Sequence, residues 1–116
     1  MPYNEPLFDR HGRTSAFILD GRRIVSPQGK SLAWIRDSSV YDYVGRHIGW
    51  WEGDHLRDSR GAIMLWKRGA TTGLIHPIPQ IPPIPAIAQI EPIRPIPQIP
   101  PFKPLRRLAW SDTSLL

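Results

Sequence analysis

Apolar and polar positions recur along the first seventy residues in a fixed register. Gly12, Gly29, Gly45 and Gly61 are spaced 17, 16 and 16 residues apart. Three positions before each stands Asp9, Ser26, Asp42 or Asp58. Five before stands Leu7, Ile24, Val40 or Leu56, and five after stands Phe17, Trp34, Trp50 or Trp66. Three after stands Ser15, Leu32, Ile48 or Met64. Self-similarity of this kind marks a repeat architecture. An oxygen-bearing side chain at i with glycine at i+3 suits a type I turn closed by a left-handed residue, a common hairpin loop. Each repeat therefore predicts a β-hairpin. Asp20-Gly21, Asp37-Ser38-Ser39, Glu52-Gly53-Asp54 and Arg68-Gly69 supply the turns between repeats. The prediction is all-β, about eight short antiparallel strands.

Strand alternation then assigns faces. Counted across a regular loop, Leu7, Ile24, Val40 and Leu56 share a core face with the aromatic set and with Ser15, Leu32, Ile48 and Met64. Ala16, Ala33, Gly49 and Leu65 point the other way, with Ile18, Ile35, Trp51 and Lys67. Phe8, Val25, Tyr41 and Trp51 leave apolar surface there, exposed or covered. A row of four hairpins would have two open edges, and closing the row into a shallow barrel removes them. Closure is expected to bring one aromatic per hairpin near the axis.

The pattern [YFV]-D-x-x-G-[RK]-x-Φ-[GA]-W, clearest in Val40–Trp50 and Leu56–Trp66, resembles the repeats of the bacterial 4-fold beta flower family over roughly residues 7–70. The resemblance implies a shallow, symmetric barrel of hairpin petals and implies no activity. Ser26-Pro27, Ser15 and Leu65 depart from the pattern. Tyr41–Arg46 is also similar to the YD repeats of large secreted shells, whose arrays are far longer.

From Leu74 the character of the chain changes. Eleven of the fourteen prolines lie between Pro77 and Pro104, which excludes helix and internal strand and leaves polyproline II. Ile78, Ile81, Ile84, Ile87, Ile90, Ile93, Ile96 and Ile99 recur at every third residue, continued by Ile75, Phe102, Leu105 and Leu108. With three residues per turn they form one straight stripe about 100 Å long. The stripe is expected to dock on its own petals, a second copy or a partner; the alternative is a stiff spacer. Arg94-x-x-Pro97-x-x-Pro100 and Pro101-x-x-Pro104-x-Arg106 match the spacing of SH3-type ligands, a match that comes cheaply in so proline-rich a stretch. The chain thus divides into a repeat domain (1–72), an extended arm (73–104) and a short basic-aromatic tail (105–116), the last expected to be a solvated end.

Composition narrows the function classes. A repeat block of about 64 residues buries marginally little, so closure, self-association or cover from the arm is required. Net charge is +5, spread too evenly to predict a nucleic-acid partner. Absence of cysteine removes disulfides and zinc–thiolate sites. The opening residues lack the pattern of a signal peptide, and a cytoplasmic location is expected. His11, His47, His55 and His76 fall at no metal-ligand spacing and read as loop histidines, and the aspartates read as turn caps. No cofactor and no enzymatic activity are expected. The reading is a small non-enzymatic interaction or scaffold module. Ile78 to Ile99 are its candidate contacts for a protein partner or for self-association. The alternative is binding of a hydrophobic small molecule or lipid surface at an aromatic mouth formed by Trp34, Trp50 and Trp66, with Trp51 at the rim.

Overall fold

A computed structural model of the protein describes residues 4–115. Eight strands run in chain order: β1 (Asn4–Phe8), β2 (Thr14–Leu19), β3 (Arg23–Val25), β4 (Ser31–Arg36), β5 (Ser39–Tyr41), β6 (His47–Trp51), β7 (His55–Asp58) and β8 (Ile63–Trp66). Each pairs antiparallel with the next, and β8 returns to β1 through Phe8 and Trp66 to close the barrel. The four hairpins β1–β2, β3–β4, β5–β6 and β7–β8 are the petals. Among the described residues there is no helix.

The petal tips follow the predicted chemistry. The Asp9 carboxylate accepts from the backbone N–H of His11 and Arg13, and Asp42 accepts from Val44 and Arg46. Asp58 accepts from Arg60 and Ala62, and the Ser26 hydroxyl accepts from Lys30. The tip glycines all take positive φ, from +79° at Gly12 to +98° at Gly45.

The faces do not follow the predicted parity, because every petal carries one β-bulge. Leu7 lies opposite Ala16 but Phe8 lies opposite Thr14, leaving Ser15 as an extra residue. The same shift isolates Leu32, Ile48 and Met64. One extra residue inverts the alternation between turn and strand. Ala16, Ala33 and Leu65, not the aromatics, therefore share the interior with Leu7, Ile24, Val40 and Leu56. Ile18 and Met64 also belong to this cluster, and the partly buried Ile35 and Trp51 pack against it. Leu32, Ile48 and Leu115 also pack against it.

Phe17, Trp34, Trp50 and Trp66 accordingly lie on the outer face, at the seams between petals. Phe17 is opposite Val25, Trp34 opposite Tyr41, Trp50 opposite Arg57 and Trp66 opposite Phe8. Trp34 stacks on Tyr41 with ring centres 4.8 Å apart, and Trp66 meets Phe8 at 5.0 Å. Two indoles also stitch neighbouring petals: Trp34 Nε1 donates to the Asp42 carbonyl and Trp66 Nε1 to that of Asp9. Aromatics near the axis are thus corrected to aromatics in the seams.

Candidate functional site

A belt around the petals

Outer-face aromatics would lie bare in an isolated ring. They are buried because the arm passes over them. The arm is held by one repeated contact: the backbone N–H of Gln80, Gln89, Gln98 and Arg107 donates to the carbonyl of Gly12, Gly29, Gly45 and Gly61, at 2.8, 2.8, 2.8 and 3.1 Å. The donors are nine residues apart, so nine residues of arm serve one petal. This period was present in the sequence beneath the more obvious three-residue one. Its legible signal was the Pro-Ile-Pro-Gln-Ile-Pro-Pro run beginning at Pro77 and again at Pro95.

Glycine at each tip is needed for the approach as well as for the turn. A Cβ on Gly12, Gly29, Gly45 or Gly61 would sit 2.3–2.7 Å from the carbonyl oxygen of Ile78, Ile87, Ile96 or Leu105. Side chains add to the clasp. Arg23 donates to the Gln89 carbonyl, the Tyr43 hydroxyl to Glu91, and the His47 backbone N–H to the Gln98 side chain. Ala88 packs on Phe17, Leu19 and Val25. Arg94 lies over the Trp34 ring and Lys103 over Trp50. Glu52 takes both Lys103 and Arg106; burial pushes its carboxyl up, but those two cations outweigh it and hold it below its ordinary value.

The two ends of the belt meet. His76 stacks on Trp66 with ring centres 4.6 Å apart and stands 6.0 Å from Trp110. Burial lowers the His76 pKa. Arg57, at the outer position filled by Phe8, Val25 and Tyr41 in the other petals, is buried. It donates to the carbonyls of Gly61 (2.7 Å), Arg107 (2.9 Å) and Thr72 (3.5 Å), and to His55 Nε2 (3.0 Å). His55 in turn bonds Asp54. Arg57 therefore fastens the start of the belt, its end and the fourth petal tip together. A charged side chain at a repeat position that is apolar in the other three petals is the sequence signal for Arg57, which the sequence reading did not single out.

Placement of the predicted residues

The tail is not a solvated end. Trp110 bridges to Ile63 in parallel, through Ile63 N–H to Ala109 and Ser111 N–H to Ile63. The Ser111 hydroxyl donates to Asp58. Residues 113–115 cross the barrel mouth at the petal tips, with a cleft of about 300 Å³ on one side and about 430 Å³ on the other. Met64 lines both clefts, Ser15 the first, and Leu32 and Ile48 the second. The bulge residues thus line this mouth.

Trp34, Trp50 and Trp66 do not line it; they are buried in the seams beneath the belt. Trp51 packs against the interior cluster. Among the described residues the Trp50 indole N–H has no hydrogen-bond acceptor. His47 and His55 are buried rather than on exposed loops, and burial lowers the His47 pKa.

The isoleucines behave in the opposite way to a stripe docked on its own petals. Burial along the arm also has a period of three. Pro79, Pro82, Pro85, Ala88, Glu91 and Pro97 are half-buried against the barrel. Pro77, Pro95 and Pro104 touch the tip glycines. The remaining row is exposed, from 87% at Ile99 to 96% at Ile90.

The family

The profile of the 4-fold beta flower proteins matches residues 5–116. The chain belongs to this family. The match runs through the arm and tail, beyond the hairpins that carry the resemblance at about residues 7–70. No curated protein and no solved structure matches the chain. Among the described residues no group of three histidine, cysteine or acidic side chains could hold a metal ion, and no helix is long and apolar enough to cross a membrane.

Proposed function

We propose that this beta flower protein is a non-enzymatic interaction module. The arm acts as a polyproline II belt, and its outward row docks on a protein partner or on another copy. The observation that carries this reading is the row Ile78–Ile99, exposed along its whole length on a chain clasped at every petal. Buried isoleucines would be explained by folding, whereas these contribute little to the monomer. Each offers roughly 60–120 Å² of apolar surface, so eight offer more than the few hundred Å² usual for a patch on a soluble monomer. A belt fixed in advance also loses little conformational freedom on binding, which favours affinity.

The alternative, a hydrophobic ligand held by tryptophans at the mouth, loses its residues to the seams. The test compares the full chain with an Ile84→Ser, Ile87→Ser, Ile90→Ser variant, in affinity capture from an extract and in sedimentation. A partner or second copy held by the wild type and lost by an equally folded variant supports the proposal. Identical behaviour of both chains in both assays refutes it.

A further inference from the structure

The occupant of the isoleucine row follows from what surrounds it, an inference that rests on the interaction-module reading. The row continues beyond Ile99 through Phe102 and Leu105, both exposed. From Ile78 to Leu105 it follows the arm through 27 residues, about 84 Å at ~3.1 Å per residue. A small ligand would cover one or two side chains of such a row. A bilayer surface would be held chiefly by cations beside the apolar row. Here three of the belt's four cations are taken by carboxylates of the same chain. Glu91 takes Arg94 and the Tyr43 hydroxyl, while Lys103 and Arg106 share Glu52 on the barrel. Arg107 is the one belt cation without a carboxylate partner among the described residues, and one cation contributes only about 1 kcal/mol at a lipid surface. What fits the row is another long, uncharged, apolar row with the same three-residue period and the same curvature.

We infer that this occupant is a second copy of the chain, two discs stacking belt to belt. One row of the belt lies against the barrel and a second toward the petal tips, so the isoleucine row looks outward and away from the tips. The belt repeats every nine residues on four equivalent petals. A copy turned over therefore presents the same ring at the same radius, and isoleucine meets isoleucine around the contact. Such a contact is isologous, the commonest kind in homodimers. Eight isoleucines at roughly 60–120 Å² each give about 500–1,000 Å² per chain, in the range of a standard stable interface. The neighbouring turns carry both signs, exposed Arg22 and Arg36 with exposed Asp37, so a turned-over copy can set opposite charges face to face.

The test is sedimentation velocity on the full chain at micromolar concentrations. Two variants accompany it: Ile84→Ser, Ile87→Ser, Ile90→Ser and, on another petal, Ile93→Ser, Ile96→Ser, Ile99→Ser. The replaced side chains are 87–96% exposed in the monomer, and unchanged near-ultraviolet circular dichroism verifies each fold. The wild type is expected at twice the 13.3 kDa chain mass and both variants at one chain. A monomeric wild type, or variants that remain dimeric, overturns the second copy as occupant. Flotation with zwitterionic vesicles separates the failures. Wild-type flotation lost in the variants would move the occupant to a membrane and leave the docking row standing. Monomers that do not float, and that capture no protein the variants fail to capture, would remove the docking row as well.

Discussion

Replacing Arg57 with methionine tests whether the belt is fastened at one point. Methionine suits the apolar outer position that Phe8, Val25 and Tyr41 hold in the other petals, so cavity formation is small. What is lost are the two short bonds to the carbonyls of Gly61 (2.7 Å) and Arg107 (2.9 Å), the longer contact to Thr72 and the bond to His55 Nε2 (3.0 Å). Bonds from a charged donor contribute about 1.5–3 kcal/mol each, and the carbonyls left behind are partly shielded from water. Burial opposes the guanidinium charge and lowers its pKa, so part of the gain is returned when the charge is removed. The two short bonds less that desolvation leave a net loss of about 2–4 kcal/mol. For a domain of this size a loss of 1 kcal/mol lowers Tm by about 4–8 °C at the small end of the range. Arg57→Met is therefore expected to melt roughly 10–20 °C below the wild type. Cleavage after Arg106 or Arg107 by trypsin should become fast well below the melt, because the belt opens before the barrel. A Tm within a few degrees of wild type, with the belt still protected, would refute Arg57 as the fastening.

Two further perturbations act on the belt from other directions. Gly29→Ala meets both a positive φ of +89° and the Ile87 carbonyl 2.5 Å from the new Cβ, whereas Gly21→Ala meets a φ of +67° and open space. Backbone strain costs about 1–2 kcal/mol in either; chemical denaturation should show Gly29→Ala the worse, and equal losses would remove the belt's approach as the reason for the tip glycines. Stability should also fall with acid in two stages. Burial lowers the pKa of His47 and His76; a group depressed on folding contributes stability present above its unfolded value, near 6.5, and lost as pH falls below it. For Asp9 and Asp42 burial acts upward but the turn amides and Arg13 or Arg46 prevail, so both are lowered and their contribution is lost below about pH 4. Urea titrations across pH 3 to 8 should show both steps, and a flat profile between pH 5 and 7 would exclude the histidines.

Much of the barrel was legible because its signals are local. Asp9, Asp42 and Asp58 with their glycines define turns within four residues, and four turns in register define a ring. The bulges were not legible, because nothing in Ser15, Leu32, Ile48 or Met64 marks an extra residue. Their side chains fit a regular strand equally well, and one uncounted residue sent the tryptophans to the wrong face. An arm that covers the barrel was foreseen as one way to stabilise so small a block, but its orientation was reversed. Isoleucine was read as the row that docks, on the principle that apolar groups seek burial. Proline and alanine are flatter, and they lie closer to the aromatic seams. Arg57 was hidden for another reason: its partners are carbonyls at 61, 72 and 107, which no sequence pattern brings together.

Two periods coexist in the arm, and a deletion separates them. The three-residue period sets which face looks outward; the nine-residue period sets which donor reaches which tip. From Ile78 to Leu105 the belt passes from the first petal tip to the fourth, three-quarters of the way round. The molecule is 37 × 36 Å across, a circumference of roughly 115 Å, and three-quarters of that is about 86 Å. At the ~3.1 Å rise of the polyproline II conformation proposed for the belt, twenty-seven residues supply about 84 Å and leave almost no slack. Removing Ile81, Pro82 and Pro83 keeps isoleucine at every third position but shortens the belt by about 9 Å. It must then forfeit at least one tip bond and uncover a seam. Were the arm a stripe whose period of three alone mattered, the shortened chain would melt like the wild type. With the length fixed by the ring, Tm falls and trypsin reaches Arg107. A deletion of all nine residues Ile81–Gln89 would release a whole petal and destabilise further. Unchanged melting of the three-residue deletion would mean that the belt does not measure the circumference of the barrel.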